Sequence, residues 1–332
     1  MQLEGKVVRI YDTGDSNVLK YENITIRTPK AREVRLKHNA IGLNFIDINM
    51  RKGAYPIKAF SPDARAPYIL GMEGTGEIES VGTEVHDFQV GDRVTHCMNL
   101  GSYAEIMNVS ADKIILLPRN ISYETAASCT LQGLTAHYLV KELWKLEAGH
   151  NVVVQSAAGG VGSILCQWAN HIGAKVIGVV SSEEKALYAQ SKGADYTINS
   201  NKGGFAQEVR EITMGKGADV IYDAVGKDTF EEGISCLASR GRIVSYGVSS
   251  GPIDPININL LRPLSASIAC GGLLTFTKNS QERSRNAKEL FDLISSGKLK
   301  IDINQRYKLS EISKAHDDLS SRSTTGSSIV LP

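Results

Sequence analysis

What the sequence lacks narrows its partners. Lys and Arg number 37 against 36 Asp and Glu, a formal net charge of +1, so no electrostatic pull draws the chain to nucleic acid or to an anionic membrane surface. Aromatic residues make up 6% of the total and no basic stripe interleaves with them, which removes the usual sequence signature of RNA binding. The five cysteines, Cys97, Cys129, Cys166, Cys236 and Cys270, are scattered, odd in number and without a CxxC spacing. That pattern predicts reduced, mostly buried thiols and argues against a disulfide framework. The opening MQLEGKVVRIYDTGD carries Glu4, Asp12 and Asp15 and no sustained apolar run. The expectation is a chain with neither signal peptide nor membrane anchor, located in the cytoplasm, whose partner is a small molecule.

What is present suffices for a sizeable core: 42% of the 332 residues are hydrophobic. At roughly 150 residues per domain the length suggests two domains. Up to about residue 120, short β-like runs (KVVRIYD, VRLKHNAIGLN, GDRVTHCM, DKIILLP) are broken by glycine and proline, which predicts an all-β, barrel-like region with bulges at the glycines of GMEGTGEIESVG. From about Tyr123 the rhythm becomes alternating helix and strand. The apolar runs NVVVQ (151–155), KVIGVV (175–180), YTIN (196–199), DVIYDAV (219–225) and RIVSYG (242–247) predict a parallel sheet covered on both faces. After Ser265 come SASIACGGLL, an amphipathic helix around NAKELFDLISSGKL, and a closing RSTTGSSIVLP that is β-like again and is expected to return to the first domain. The expected division is residues 1–122 with 267–332, and 123–266.

One motif carries the chemistry of the second domain. QSAAGGVGS (155–163) follows an apolar strand and precedes a run in which Val161, Ile164, Leu165, Trp168 and Ile172 recur at helical spacing. In a dinucleotide-binding turn of the GxGxxG type, the second glycine lets backbone approach the pyrophosphate and the third lets the helix pack on the strand. Gly159 and Gly162 hold those positions, with Ala157 where the first glycine usually stands. Alanine is tolerated there if its φ stays negative. Ala158, Gly159, Gly160, Val161 and Gly162 are therefore the expected phosphate cradle at a helix N-terminus.

The next strand should end beside the adenosine ribose, where a carboxylate would hold both hydroxyls of NAD. KVIGVV ends instead in Ser181, followed by Ser182 and, beyond Glu183 and Glu184, Lys185. Hydroxyl donors and a cation suit a 2′-phosphate, so NADPH is favoured over NADH. Lys185 is either that phosphate ligand or an ordinary solvated helix lysine. Ser181 with Glu184 three residues on also fits a capping box.

Together these residues resemble the medium-chain dehydrogenase/reductase superfamily over the whole length. Within it NFIDINMRKGAYP (44–56), LQGLTAHYL, the AAGGVG turn, DAVG (223–226), SYGVSSG and SRSTTGSS resemble the zinc-free quinone oxidoreductases, the group containing ζ-crystallin. The resemblance implies an α/β fold: a Rossmann doubly wound parallel sheet (123–266) plus a GroES-like β-barrel-type catalytic domain (1–122 and 267–332). It also implies a homodimer, with NADPH reducing a quinone by hydride or electron transfer. Where zinc dehydrogenases of the superfamily place their ligands, this chain reads Asn44, Met72 and Leu131, none of them a zinc ligand. The structural zinc lobe has no room, because only eight residues separate Val94 from Tyr103. Without a metal Lewis acid the substrate should already be electrophilic, a quinone or an enal or enone.

The resemblance further implies a substrate cleft between the domains lined by Asn44, Asp47 and Tyr55. Asn44 either donates to a quinone oxygen or stabilises its turn. Asp47, acceptor-only when ionised, either orients neighbours or the ribose or forms a structural pair, and Tyr55 either contacts the quinone or packs as a loop aromatic. Toward the cofactor it implies Asn44, Phe45, Thr135, Ser200, Gly226, Tyr246, Gly247, Ser249, Phe276 and Arg322. The family's tyrosines at two of these loops read Asn49 and Ser200, and its Arg-Pro pair reads Cys270-Gly271. Two alternatives remain open at this level: an NADPH-dependent enal or enone reductase, and a non-catalytic protein that binds NADPH or RNA.

Overall fold

The structure is a computed structural model, and it describes residues 3–332. Its strands in chain order are β1 (Glu4–Ile10), β2 (Lys20–Thr25), β3 (Glu33–Leu43), β4 (Tyr68–Ile69), β5 (Glu73–Val81), β6 (Arg93–Cys97), β7 (Ile106–Ser110) and β8 (Ile114–Leu116). They continue with β9 (Asn151–Gln155), β10 (Lys175–Val180), β11 (Tyr196–Asn199), β12 (Ala218–Asp223), β13 (Leu237–Ser245), β14 (Ser267–Cys270), β15 (Ile303–Lys308) and β16 (Ser327–Leu331). The chain divides into two compact units, one of residues 1–134, 276–295 and 301–332, the other of residues 135–275 and 296–300.

In the first unit a seven-stranded sheet runs β15-β16-β3-β5-β6-β8 with β7 paired to β3, and a smaller sheet runs β2-β1-β4. The pairings are antiparallel except β15 with β16. Alternate residues of five strands, among them Val34, Leu36, Ile78, Val94, Met107, Val109 and Ile114, converge on one buried cluster, as inward-facing positions of a curved sheet do. The bulges fall elsewhere than expected. Arg35 pairs with Ser80 but Leu36 with Ile78, and His38 pairs with Gly76 but Ala40 with Thr75, so the extra residues are Glu79 and Asn39. The glycines of GMEGTG serve close approach instead: a Cβ on Gly76 would stand 1.9 Å from the Lys37 carbonyl and one on Gly74 2.6 Å from His38 Nε2.

The second unit is built on a six-stranded parallel sheet, β11-β10-β9-β12-β13-β14, with β9, β10 and β11 over the residues expected from the apolar runs. Its inner strands β9, β10 and β12 are buried along nearly their whole length, with Val153, Ile177 and Ile221 in one core beside Ile198 and Ile243, which is why they read as continuous apolar runs; the edge strands β11 and β14 are half-exposed.

The borders differ from 122/123 and 266/267. Ser267–Cys270 pairs in parallel with Arg242–Ser245 as the sixth strand of the sheet, so it belongs with the second unit. The short helix Tyr123–Ala127 belongs with the first unit, where Thr75 Oγ1 of β5 donates to the Tyr123 carbonyl at 2.9 Å. Both segments are too short for a change of period to mark them. The closing strand β16 pairs with β3 and β15. Among the described residues no helix is long and apolar enough to cross a membrane.

Candidate active site

In the second unit the strand–turn–helix expected of QSAAGGVGS is present: β9 ends at Gln155 and a helix runs Gly160–Ile172 with Gly159 as its N-cap. The left-handed conformation falls on Ser156, φ 54°, so Ala157 is spared it and can stand where a first glycine is usual. Room for the Ala157 methyl comes from Gly178 in β10, whose own Cβ would lie 2.9 Å from it. Gly162 has no space for a side chain, since a Cβ would meet the Ser156 carbonyl at 2.2 Å; this is the close helix-on-strand packing of a third glycine. Gly160 and Val161 are half-buried, and the helix start leaves the N–H groups of its first turn without intrahelical partners.

Beside this turn, the ends of β10 and β11 gather polar groups. Lys185 Nζ donates to Ser181 Oγ at 3.3 Å, Asn201 Nδ2 donates to the Ser181 carbonyl at 2.8 Å, and Ser200 Oγ donates to the Val180 carbonyl at 3.1 Å. The helix cap is Ser182, whose Oγ accepts from the Lys185 backbone N–H at 3.2 Å, so the Ser181–Glu184 capping box does not form. Ser181 is left exposed, with its hydroxyl on Lys185. Glu183 is engaged by Lys202 at 2.6 Å and by Asn199 at 3.3 Å, which holds its carboxyl below the usual range.

The loops after β12 and β13 run side by side. Ser249 N donates to the Ala224 carbonyl, and Asp223 Oδ1 accepts from Val225 N and Gly226 N, each of the latter at 2.8 Å. Gly226 has φ 90° and Gly247 would place a Cβ 2.8 Å from the Ala224 carbonyl, so both are required by backbone crowding. This brings Gly226, Tyr246, Gly247 and Ser249 together. Tyr246 is half-buried; its hydroxyl is buried, and that desolvation, with Asp223, Tyr138 and Cys166 nearby, raises its pKa. Thr135, in the helix Thr130–Tyr138, is 7% exposed. Phe276 and Arg322 lie in the first unit, Arg322 exposed in a turn with φ 58°.

The first unit holds a second centre around Asn44, N-cap of the helix Phe45–Arg51. Asp47 Oδ2 accepts from the Asn44 backbone N–H at 3.0 Å and from the Tyr103 hydroxyl at 3.0 Å; that hydroxyl bonds His316 Nε2 at 2.9 Å. With the hydroxyl proton on Asp47, His316 carries its own on Nε2. Burial holds the imidazole neutral, its pKa near 3. Asn44 Nδ2 donates to Glu73 Oε2 at 2.7 Å and Leu131 N donates to Oε1 at 2.6 Å. Gln132 Nε2 donates to Asn44 Oδ1 at 3.3 Å, and Ser327 Oγ donates to Gln132 Oε1 at 2.7 Å. Desolvation pushes Asp47 up to about 7 and Glu73 up to about 8, against the hydrogen bonds that favour their charge.

Asp47 is fully buried, so it orients Asn44 and lines no surface. Phe45 is half-buried at the start of the helix. Tyr55 is half-buried, its N–H on the Asn49 carbonyl and its ring 6.3 Å from that of Phe60; burial raises its hydroxyl pKa and a bond with the Asn49 side chain lowers it. Sequence reasoning missed Glu73, Gln132, Tyr103, His316 and Asn201, whose partners are distant in sequence. Only Glu73 had a signal, a carboxylate inside the otherwise apolar GMEG. Among the described residues no three His, Cys, Asp or Glu side chains converge as a metal site.

Residues 160–295 match the family described as zinc-binding dehydrogenase, and residues 30–119 match the alcohol dehydrogenase GroES-like domain. A quinone oxidoreductase of Pseudomonas aeruginosa is 42% identical over 321 residues, 96% of this chain and 97% of the relative. A 2-haloacrylate reductase of a Burkholderia species is 38% identical over 97% of this chain and 98% of its own. The crystal structure of Escherichia coli quinone oxidoreductase complexed with NADPH superposes with a TM-score of 0.94 at 37% identity, covering 98% of this chain and 100% of that one. Sequence likeness over nearly the full length, a glycine turn on a parallel sheet and a GroES-like first unit agree: the chain belongs to the quinone oxidoreductase family of the medium-chain dehydrogenases/reductases.

Proposed function

We propose that the chain is an NADPH-dependent quinone reductase that works without zinc. The observation that carries the reading is the donor group at the ends of β10 and β11, where Ser181, Lys185, Ser200 and Asn201 meet while Glu183 is taken up by Lys202. Such a group suits a 2′-phosphate. The side-chain-free turn at Gly159 and Gly162 fits the pyrophosphate, and relatives named quinone oxidoreductase, one of them complexed with NADPH, support the same cofactor and acceptor. When bound, NADPH supplies hydride at nicotinamide C4; the quinone becomes a quinol by taking that hydride and one proton from water.

The chain's residues then divide the work. Ala158 to Gly162 bind the pyrophosphate, and Ser181, Ser182, Lys185 and Ser200 surround the 2′-phosphate. Thr135, Gly226, Gly247, Ser249 and the Tyr246 backbone hold the nicotinamide half, with Phe45, Phe276 and Arg322 as further cofactor contacts. Asn44 offers an N–H to the acceptor oxygen, Tyr55 offers its ring, and Asp47 keeps Asn44 in place. The zinc-ligand positions of the superfamily carry Asn44, Met72 and Leu131, which supports zinc independence. The same reading includes a cytoplasmic homodimer.

A second reading, reduction of an enal or enone, is favoured by the likeness to a 2-haloacrylate reductase. Turnover of NADPH and NADH against 1,4-benzoquinone, an ortho-quinone and a short enal separates the two. Preference for NADPH with a quinone is expected, and no consumption with any acceptor would sink both.

A further inference from the structure

We propose that Glu73 is a positioning residue that decides which edge of the Asn44 amide is presented to the acceptor; the proposal rests on the reading of Asn44 as the group that meets the acceptor. The argument is one of hydrogen-bond polarity. An amide side chain has a donor edge and an acceptor edge of nearly the same shape, so its orientation is dictated by what surrounds it. Here the surroundings form a closed sequence of bonds among buried groups: Glu73 is 0% exposed, Asn44 5%, Gln132 7% and Ser327 3%.

The sequence has one fixed end. The Leu131 N–H can only donate, so Glu73 Oε1 accepts it at 2.6 Å. Above about pH 8, where Glu73 is ionised, Oε2 can also only accept, and it takes Asn44 Nδ2 at 2.7 Å. Asn44 Oδ1 is then left to accept from Gln132 Nε2 at 3.3 Å, and Gln132 Oε1 from Ser327 Oγ at 2.7 Å. Every orientation follows from a carboxylate at position 73. Gly42 in β3 clears its place, since a Cβ there would stand 2.2 Å from Glu73 Oε2.

Glutamine at 73 keeps the shape and reverses the order. Its Oε1 must still accept from Leu131, so its Nε2 faces Asn44; two donors would meet, and Asn44 turns over. Gln132 then turns over too, accepting from Asn44 Nδ2 and donating to Ser327 Oγ. The bonds linking Leu131, position 73, Asn44, Gln132 and Ser327 are remade, but Asn44 shows the acceptor its opposite edge. In E73Q/Q132E the carboxylate at 132 accepts from both Asn44 Nδ2 and Ser327 Oγ and locks that reversed state.

The test compares wild type, E73Q and E73Q/Q132E at pH 9, above the value of about 8 to which burial raises Glu73. Three quantities are measured: the thermal midpoint, the NADPH Kd by fluorescence, and kcat/KM for 1,4-benzoquinone at saturating NADPH. Both variants are expected to fold with midpoints within a few degrees of wild type and to lose at least tenfold in kcat/KM. Loss of that size is typical when a donor aimed at developing charge is removed. A folded variant within threefold of wild-type kcat/KM overturns the proposal, as does a loss confined to NADPH affinity. So does failure of both variants to fold, because the reversed network would then not be an available alternative. If the wild type consumes NADPH with the enal and not with quinones, the quinone reading alone fails and the variants are judged on the enal. A wild type inert with every acceptor sinks both.

Discussion

The glycine turn of the second unit and the Asn44 centre of the first are built from different material. The turn is main chain: Gly159 and Gly162 act by having no side chain where the Ser156 carbonyl stands 3.3 and 2.2 Å from any Cβ, and Gly226 and Gly247 in the loops after β12 and β13 meet carbonyls at 2.7 and 2.8 Å in the same way. The Asn44 centre is side chain, a buried set running from His316 through Tyr103, Asp47, Asn44 and Glu73 to Gln132 and Ser327. Steric exclusion fails at once when an atom is added. A polar network fails when a partner is left without its bond, because the orphaned group keeps the cost of its desolvation.

The contrast predicts where each centre breaks. Gly162→Val should have the largest effect, about 3 kcal/mol of stability or more, with loss of NADPH binding, because the branched side chain cannot enter without moving the helix from β9. Urea unfolding and NADPH titration measure it; wild-type values would mean that the turn tolerates a side chain. Lys185→Ala should weaken NADPH by about 2 kcal/mol, roughly thirtyfold, and leave NADH almost unchanged. Equal losses for the two cofactors would remove Lys185 from the 2′-phosphate.

In the side-chain centre, Tyr103→Phe deletes the donor to Asp47 and the acceptor of His316 while keeping the ring. It should cost about 1.5 kcal/mol in urea unfolding and lower kcat/KM for quinone with little change in NADPH Kd. A Tyr103→Phe enzyme with altered NADPH affinity and normal quinone kinetics would place the network on the cofactor side.

The smallest effect at neutral pH concerns the buried pair His38 and His96, whose Nε2 atoms are 3.1 Å apart, with His38 Nδ1 on the Ala104 carbonyl at 2.8 Å. Burial lowers His38 to about 4, and burial and His38 lower His96 well below 6.5. The unfolded chain therefore binds more protons between pH 6.5 and 4, so the pair's contribution is full above 6.5 and is lost as pH falls toward 4. Asp47 and Glu73, raised by burial, act with the opposite sign between about 4 and 8, so the pair is isolated by difference. His38→Gln should flatten the acid loss in urea midpoints from pH 7 to 4.5; an unchanged slope would assign that loss to other groups.

These differences also explain what was legible. β9 and β10 were readable residue by residue because both faces of an inner parallel strand are covered and it becomes apolar throughout; β11, at the sheet edge with Ile198 buried and Tyr196 exposed, was readable as a short β-like run. The turn was readable because its requirements are local: strand, glycines, helix. β14 escaped because three half-exposed residues and the exposed Cys270, with no periodicity of their own, are strand only by pairing with β13. The cap at Ser182 and the bulges at Glu79 and Asn39 were misjudged by a residue or a few, the scale on which a helix start or a strand register is settled by neighbours.

By itself the sequence determined the two kinds of domain, the glycine turn between strand and helix, and the polar residues Ser181 and Lys185 at the end of β10, because each is written in spacing along one segment. Tertiary structure alone decided the surroundings of Asn44. Glu73, Tyr103, Gln132 and His316 come from four separate segments, and a hydrogen bond between buried side chains depends on angles and distances that no spacing encodes.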